Sequence, residues 1–132
     1  MTLLLDTSLL IDIENEHQPA LKEIAEISKQ DLAPPATTFI NHLEFLWGLR
    51  HKKEKIRNHY LVFINEFIIL QTSRFTPVIL CNLRQKYESR GVVLSLADLI
   101  IASLAIEHNM TLVTRDKGFM PIEELSQIQV SY

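Results

Sequence analysis

Apolar residues recur along this chain in two alternating registers. Short uninterrupted runs at residues 2–5 (TLLL), 67–71 (FIILQ) and 111–114 (TLVT) have the composition of buried strands, because a strand covered on both faces needs no polar alternation. A brief strand is predicted around Ala36 and Thr37, and a short last one at residues 128–130. Between these runs the spacing turns helical. Helices are predicted over residues 7–14, over 18–29 with Leu21, Ile24, Ala25 and Ser28 in phase, and over 39–50 with an apolar stripe of Ile40, Leu43 and Trp47. Further helices follow at residues 53–66 and at 76–90, where Val78, Ile79, Leu83 and Tyr87 keep phase until Gly91 ends the segment. The helix opened by Ser95, residues 96–109, is apolar nearly all round and is expected to be central and well covered. Strand and helix alternate throughout, so the chain reads as α/β, with a mainly parallel sheet between helices.

Composition narrows this picture. At 132 residues and 47% apolar, the chain is the size of one compact domain with a core on both faces of its sheet. It shows neither a charged leader followed by an apolar segment nor a bilayer-length apolar stretch, so a cytoplasmic protein is expected. Its three glycines, Gly48, Gly91 and Gly118, are isolated, which excludes the glycine-rich loops that cradle nucleotide phosphates. The single cysteine, Cys81, can form neither an internal disulfide nor a thiolate zinc site, and its apolar neighbours predict a buried packing role. A net charge of −3 argues against a surface that grips nucleic acid everywhere, but leaves room for local basic patches.

The candidate chemistry lies in four acids. In open parallel sheets, ligand sites form beyond the carboxyl ends of the strands, where the strand order reverses. Asp6 ends the first strand, and Asp116 follows TLVT by two residues, so both belong to that rim. Asp98 is in the first turn of the helix that feeds TLVT, and a crossover helix begins at the same rim. Glu44 lies about one and a half turns into the helix after the Ala36-Thr37 strand, near enough to lean over it. Small residues stack below two of the acids, Gly48 under Glu44 and Ala102 and Ala105 under Asp98, which predicts close backbone approach. Two carboxylates about 5 Å apart repel by roughly 3 kcal/mol at an effective dielectric of about 20, so four acids either hold protons or bind a cation. Carboxylate oxygens suit Mg2+ or Mn2+, and such sites usually act on phosphates, which makes phosphodiester hydrolysis the expected reaction.

Each acid alone has a plainer explanation. Asp6 would serve as a helix N-cap, Ser95 and Asp98 as a capping box, Glu44 as a surface residue and Asp116 as a turn residue. Their prediction at one rim favours the joint reading. The basic run containing Arg50, Lys52 and Lys53 is either an exposed helix face or a phosphate-binding flank, to which Arg115 and Lys117 would contribute beside Asp116. The five histidines show no ligand spacing, and Phe45 and Trp47 are expected in the core or at a dimer contact rather than stacked on bases.

Four segments, LLLDTSLLID, HLEFLWGL, SLADLIIASLA and TLVTRDKGF, resemble in order the motifs of PIN-domain nucleases, especially the VapC-type toxins, over nearly the whole chain. The resemblance implies a five-stranded parallel sheet of order 3-2-1-4-5 in a three-layer PIN-like fold. It implies Asp6 and Asp98 as principal magnesium ligands, Glu44 as a ligand directly or through water, Asp116 as the fourth acid, and Thr7 and Thr114 as supporting residues. It also implies endonucleolytic RNA cleavage, a homodimer and a cognate antitoxin that blocks the acidic pocket. Many members carry one more acid after the fourth motif, where this chain has Lys117, Gly118 and Phe119. A Mg2+-dependent phosphatase or phosphoacceptor is the rival enzyme class, but one such group needs an Asp two residues after the first, where Ser8 stands. A catalytically silent PIN-like binding module would be expected to have lost an acid, and all four are present.

Overall fold

The computed structural model describes residues 2–30 and 33–132. Five strands, β1 (Leu3–Leu5), β2 (Ala36–Thr38), β3 (Ile68–Leu70), β4 (Thr111–Thr114) and β5 (Gln127–Gln129), form one parallel sheet of order β3-β2-β1-β4-β5. Six helices flank it: α1 (Thr7–Glu14), α2 (Gln18–Ile27), α3 (Phe39–Gly48), α4 (Glu54–Ile64), α5 (Thr76–Ser89) and α6 (Leu96–Glu107). Among the described residues no helix is long and apolar enough to cross a membrane.

The period of two along β1 divides the core. Leu4 joins Ala36, Leu70 and Leu112 in packing against Leu83 and Tyr87 of α5 and the apolar body of α6. Leu3 and Leu5 turn the other way, to Leu9 and Leu10 of α1, Phe45 of α3 and Ile64 of α4. Both faces of the central strands are covered, which is why the strand runs lack polar alternation. Each fully buried Leu contributes roughly 1.5–3 kcal/mol, so the central strands anchor whatever is attached to their ends.

Three expectations are corrected. Cys81 is exposed, because α5 buries its Thr76, Leu83 and Tyr87 face and leaves Val78 and Cys81 outside. On α3 the buried residues are Asn41 and Phe45, and of the expected stripe only Ile40 packs against the core, whereas Leu43 and Trp47 are 59% and 64% exposed. Gly48 permits no close approach, since nothing lies within 4 Å of where a Cβ would stand.

Candidate active site

Strands feed their helices here almost without loops, which sets the geometry of the rim. β1 ends at Leu5 and Asp6 is already the N-cap of α1, its Oδ1 accepting from Leu9 N at 3.4 Å and Ser8 Oγ at 2.9 Å. β2 ends in Thr38, the N-cap of α3, which places Glu44 on that helix beside α1. β1 and β4 pair with Leu5 opposite Val113, so the next step brings Asp6 level with Thr114. The chain passes from one side of β1 to the other between β3 and β4, so the β1–β4 boundary is the switch point where a ligand site is expected.

All four acids line one cavity of about 210 Å³, together with Thr7, Ser8 and Asn41. Asp98 sits in the first turn of α6 with its N–H donating to Ser95 Oγ, and Asp116 caps a 3-10 turn through Gly118 N at 2.8 Å. A Cβ on Gly118 would stand 3.0 Å from Asp116 Oδ1 and 3.7 Å from Asp98 Oδ2, so the glycine gives these two carboxylates room beside each other. Burial pushes the Asp6 carboxyl above its ordinary value, and the charge of Asp116 adds to this, against the lowering effect of hydrogen bonds from Thr114, Ser8 and Leu9. Asp98 is raised by burial first, then by Asp116 and Asp6, with Ser95 acting in the opposite direction.

Two threonines aim the acids by the same logic. Thr114 Oγ1 accepts from Asp116 N at 2.9 Å, so its single proton is free to donate to Asp6 Oδ2. Thr7 Oγ1 accepts from Asn41 Nδ2 at 3.0 Å and donates to Glu44 Oε1 at 3.2 Å. The direction of the second chain is set further back. Asn41 Oδ1 accepts from both the hydroxyl and the N–H of Thr38, which turns the amide nitrogen toward Thr7. Asn41 is 1% exposed, and the sequence alone does not single it out. Its spacing of three before Glu44 is a weak signal, because a buried Asn on an otherwise apolar helix face is legible only once the face is known.

The basic candidates separate in the structure. Arg115 pairs with Asp12 Oδ2 at 3.1 Å and lies over the Tyr132 ring, which ties it to α1. Arg50 stacks on Trp47 with 4.2 Å to the ring centroid and donates to the Trp47 carbonyl. Lys52, Lys53 and Lys117 are exposed.

The donor set fits a hard divalent cation. It consists of oxygen donors, four of them carboxylates, and the Asp6 and Asp98 carboxyls are raised by burial and by neighbouring negative charge that a cation would relieve. Among the described residues no three His, Cys, Asp or Glu side chains stand together closely enough to hold a metal ion by themselves.

Known proteins share this sequence pattern and this fold. The chain is 28% identical to Ribonuclease VapC2 of Rickettsia felis over 127 residues, 95% of each protein. It is 30% identical to Ribonuclease VapC1 of Methanocaldococcus jannaschii over 121 residues, 87% of this chain and 76% of that one. The crystal structure of VapBC2 from Rickettsia felis, bound to a promoter DNA fragment, superposes with a TM-score of 0.83 at 27% identity, covering 98% of both chains. The fold is shared also by VapBC-1 of nontypeable Haemophilus influenzae, with a TM-score of 0.82 at 22% identity and 98% coverage of both chains. The sequence matches the PIN domain over residues 3–125, and the chain belongs to the PIN-domain family.

Proposed function

We propose that this protein is a divalent-metal-dependent endoribonuclease, the toxin of a toxin–antitoxin pair, with Asp6, Glu44, Asp98 and Asp116 as its acid set. The observation that carries this reading is the single cavity at the β1–β4 switch point lined by all four acids, with Asp6 and Asp98 raised by burial and by neighbouring negative charge. The relatives named VapC ribonucleases support the RNA-cleaving activity, and the VapBC structures support an antitoxin partner.

Asp6 and Asp98 are the principal ligands in this proposal, with Glu44 binding directly or through water and Asp116 completing the negative field. Held by these acids, Mg2+ or Mn2+ would supply Lewis-acid stabilisation of charge developing on the phosphate oxygens and would lower the pKa of a water so that hydroxide is available at neutral pH. Thr114 holds Asp6 and Thr7 holds Glu44 as hydrogen-bond acceptors, so both carboxylates are oriented before any ligand arrives. The exposed Leu43 and Trp47 face of α3 is the surface for a second copy, and Trp47→Glu is expected to lower the sedimenting mass from dimer to monomer. An unchanged mass would remove α3 from that role.

The decisive experiment is cleavage of labelled structured RNA with Mg2+ or Mn2+, with EDTA, and with Asp98→Asn in parallel. Loss of an outer partner of a metal ligand alone costs about 10–100-fold, so loss of the ligand is expected to cost more than about 100-fold at an unchanged circular-dichroism spectrum. Cleavage by Asp98→Asn at the wild-type rate would overturn the assignment.

A further inference from the structure

RNA must bring phosphates to a cavity whose walls carry four carboxylates and no cation. A second hollow of about 140 Å³ adjoins it, with Glu44 as a shared wall. Its sides are Ile11 of α1, Phe45 and Gly48 of α3, and Tyr60 of α4, and Lys52 supplies the one positive charge on its lining. Phe45 and Tyr60 meet edge to face at 5.9 Å, and the Tyr60 hydroxyl donates to Asn15 Oδ1 at 3.0 Å, so the aromatic wall is set in place beforehand. Gly48 keeps the hollow open. As the last residue of α3 it has no crowding that forbids a side chain and no positive φ that demands glycine.

We infer that this hollow is a subsite for the nucleotide flanking the scissile phosphate of single-stranded RNA, its base against the apolar and aromatic wall and a phosphate toward Lys52. The inference rests on the ribonuclease reading above. It follows from a mostly apolar hollow with a cation, placed beside acids that suit a phosphodiester, since unpaired bases bind by stacking on aromatic walls and phosphates by Lys contact. Among the described residues that line either cavity, Lys52 is the one cation, while Arg50 and Arg115 engage Trp47 and Asp12.

Gly48→Leu tests this directly, because it fills open space and improves helix propensity, so folding is expected to survive. Cleavage kinetics of one oligonucleotide are compared with those of two analogues in which the base on either side of the cut is replaced by an abasic ribose. One abasic analogue is expected to raise the wild-type KM roughly fivefold or more, the lower end of what base stacking supplies. Gly48→Leu is expected to raise KM similarly for the intact RNA, with kcat changing less, and to be indifferent to that analogue. In the Asp98→Asn background, Lys52→Ala is expected to reduce the salt dependence of RNA binding by about one counterion. Gly48→Leu kinetics equal to wild type, or equal abasic losses in both proteins, would sink the subsite. So would a Gly48→Leu variant that blocks a protein partner while leaving RNA affinity intact. Wild-type protein that binds Mn2+ and cleaves no RNA would fail the ribonuclease reading itself, and is read separately from the variants.

Discussion

At the scale of single residues, the site depends on which way protons point. Asn41 and Thr7 act on Glu44 in series, since a donor-only amide nitrogen leaves the threonine hydroxyl one proton and one acceptor to give it to. Asn41→Ala and Thr7→Val are each expected to lower cleavage about tenfold, and the double variant no further than the worse single one. Independent, multiplying losses would mean that the two residues act on the site separately. The raised carboxyls make a second prediction. Folded Asp6 and Asp98 take up protons more readily than they do unfolded, so their contribution to stability falls as pH rises above the ordinary value of 3.8. Metal-free Asp98→Asn is therefore expected to melt higher than wild type at neutral pH and to lose that advantage on acidification. A variant that melts lower at neutral pH would show that burial and neighbouring charge do not penalise the Asp98 carboxylate.

At the scale of elements, the rim is stiffened from behind. Tyr87 of α5, 1% exposed, accepts from Glu123 N at 2.7 Å and donates to Glu124, while Lys86 and Arg90 hold Glu123. These contacts fasten the segment between Phe119 and β5 to α5, and Phe119 lines the acid cavity. Tyr87→Phe leaves the Glu123 N–H without its partner and is expected to cost about 1–3 kcal/mol in urea unfolding. A loss much below that would mean that water takes over the bond. The turn after α5 has its own requirement, because Gly91 stands at φ 75°, so Gly91→Ala is expected to cost about 1 kcal/mol.

At the scale of the whole molecule, convergence of the acids is a property of sheet order. Asp6 and Asp116 are 110 residues apart in sequence and meet because β4 lies beside β1, and α6 delivers Asp98 to the same edge. A cation that relieves repulsion at this edge is expected to raise the melting temperature of wild type, and to do so far less for Asp98→Asn. Equal shifts would place the ion elsewhere. The alternation of apolar runs and helical periods in the sequence determined the element order and the two-sided core, because burial on both faces leaves a continuous apolar strand. The TLLLD and TLVTRD junctions determined that Asp6 and Asp116 follow the ends of strands, and S-x-x-D that Asp98 lies in the first turn of a helix. Only the tertiary structure decided which helix face is covered. Periodicity marked Leu43, Trp47, Val78 and Cys81 as buried, but an apolar residue faces inward only if another element lies over it. The same holds for Asn41 and Arg115, whose partners Thr7 and Asp12 are remote in sequence and become neighbours only when α1, α3 and β4 pack together.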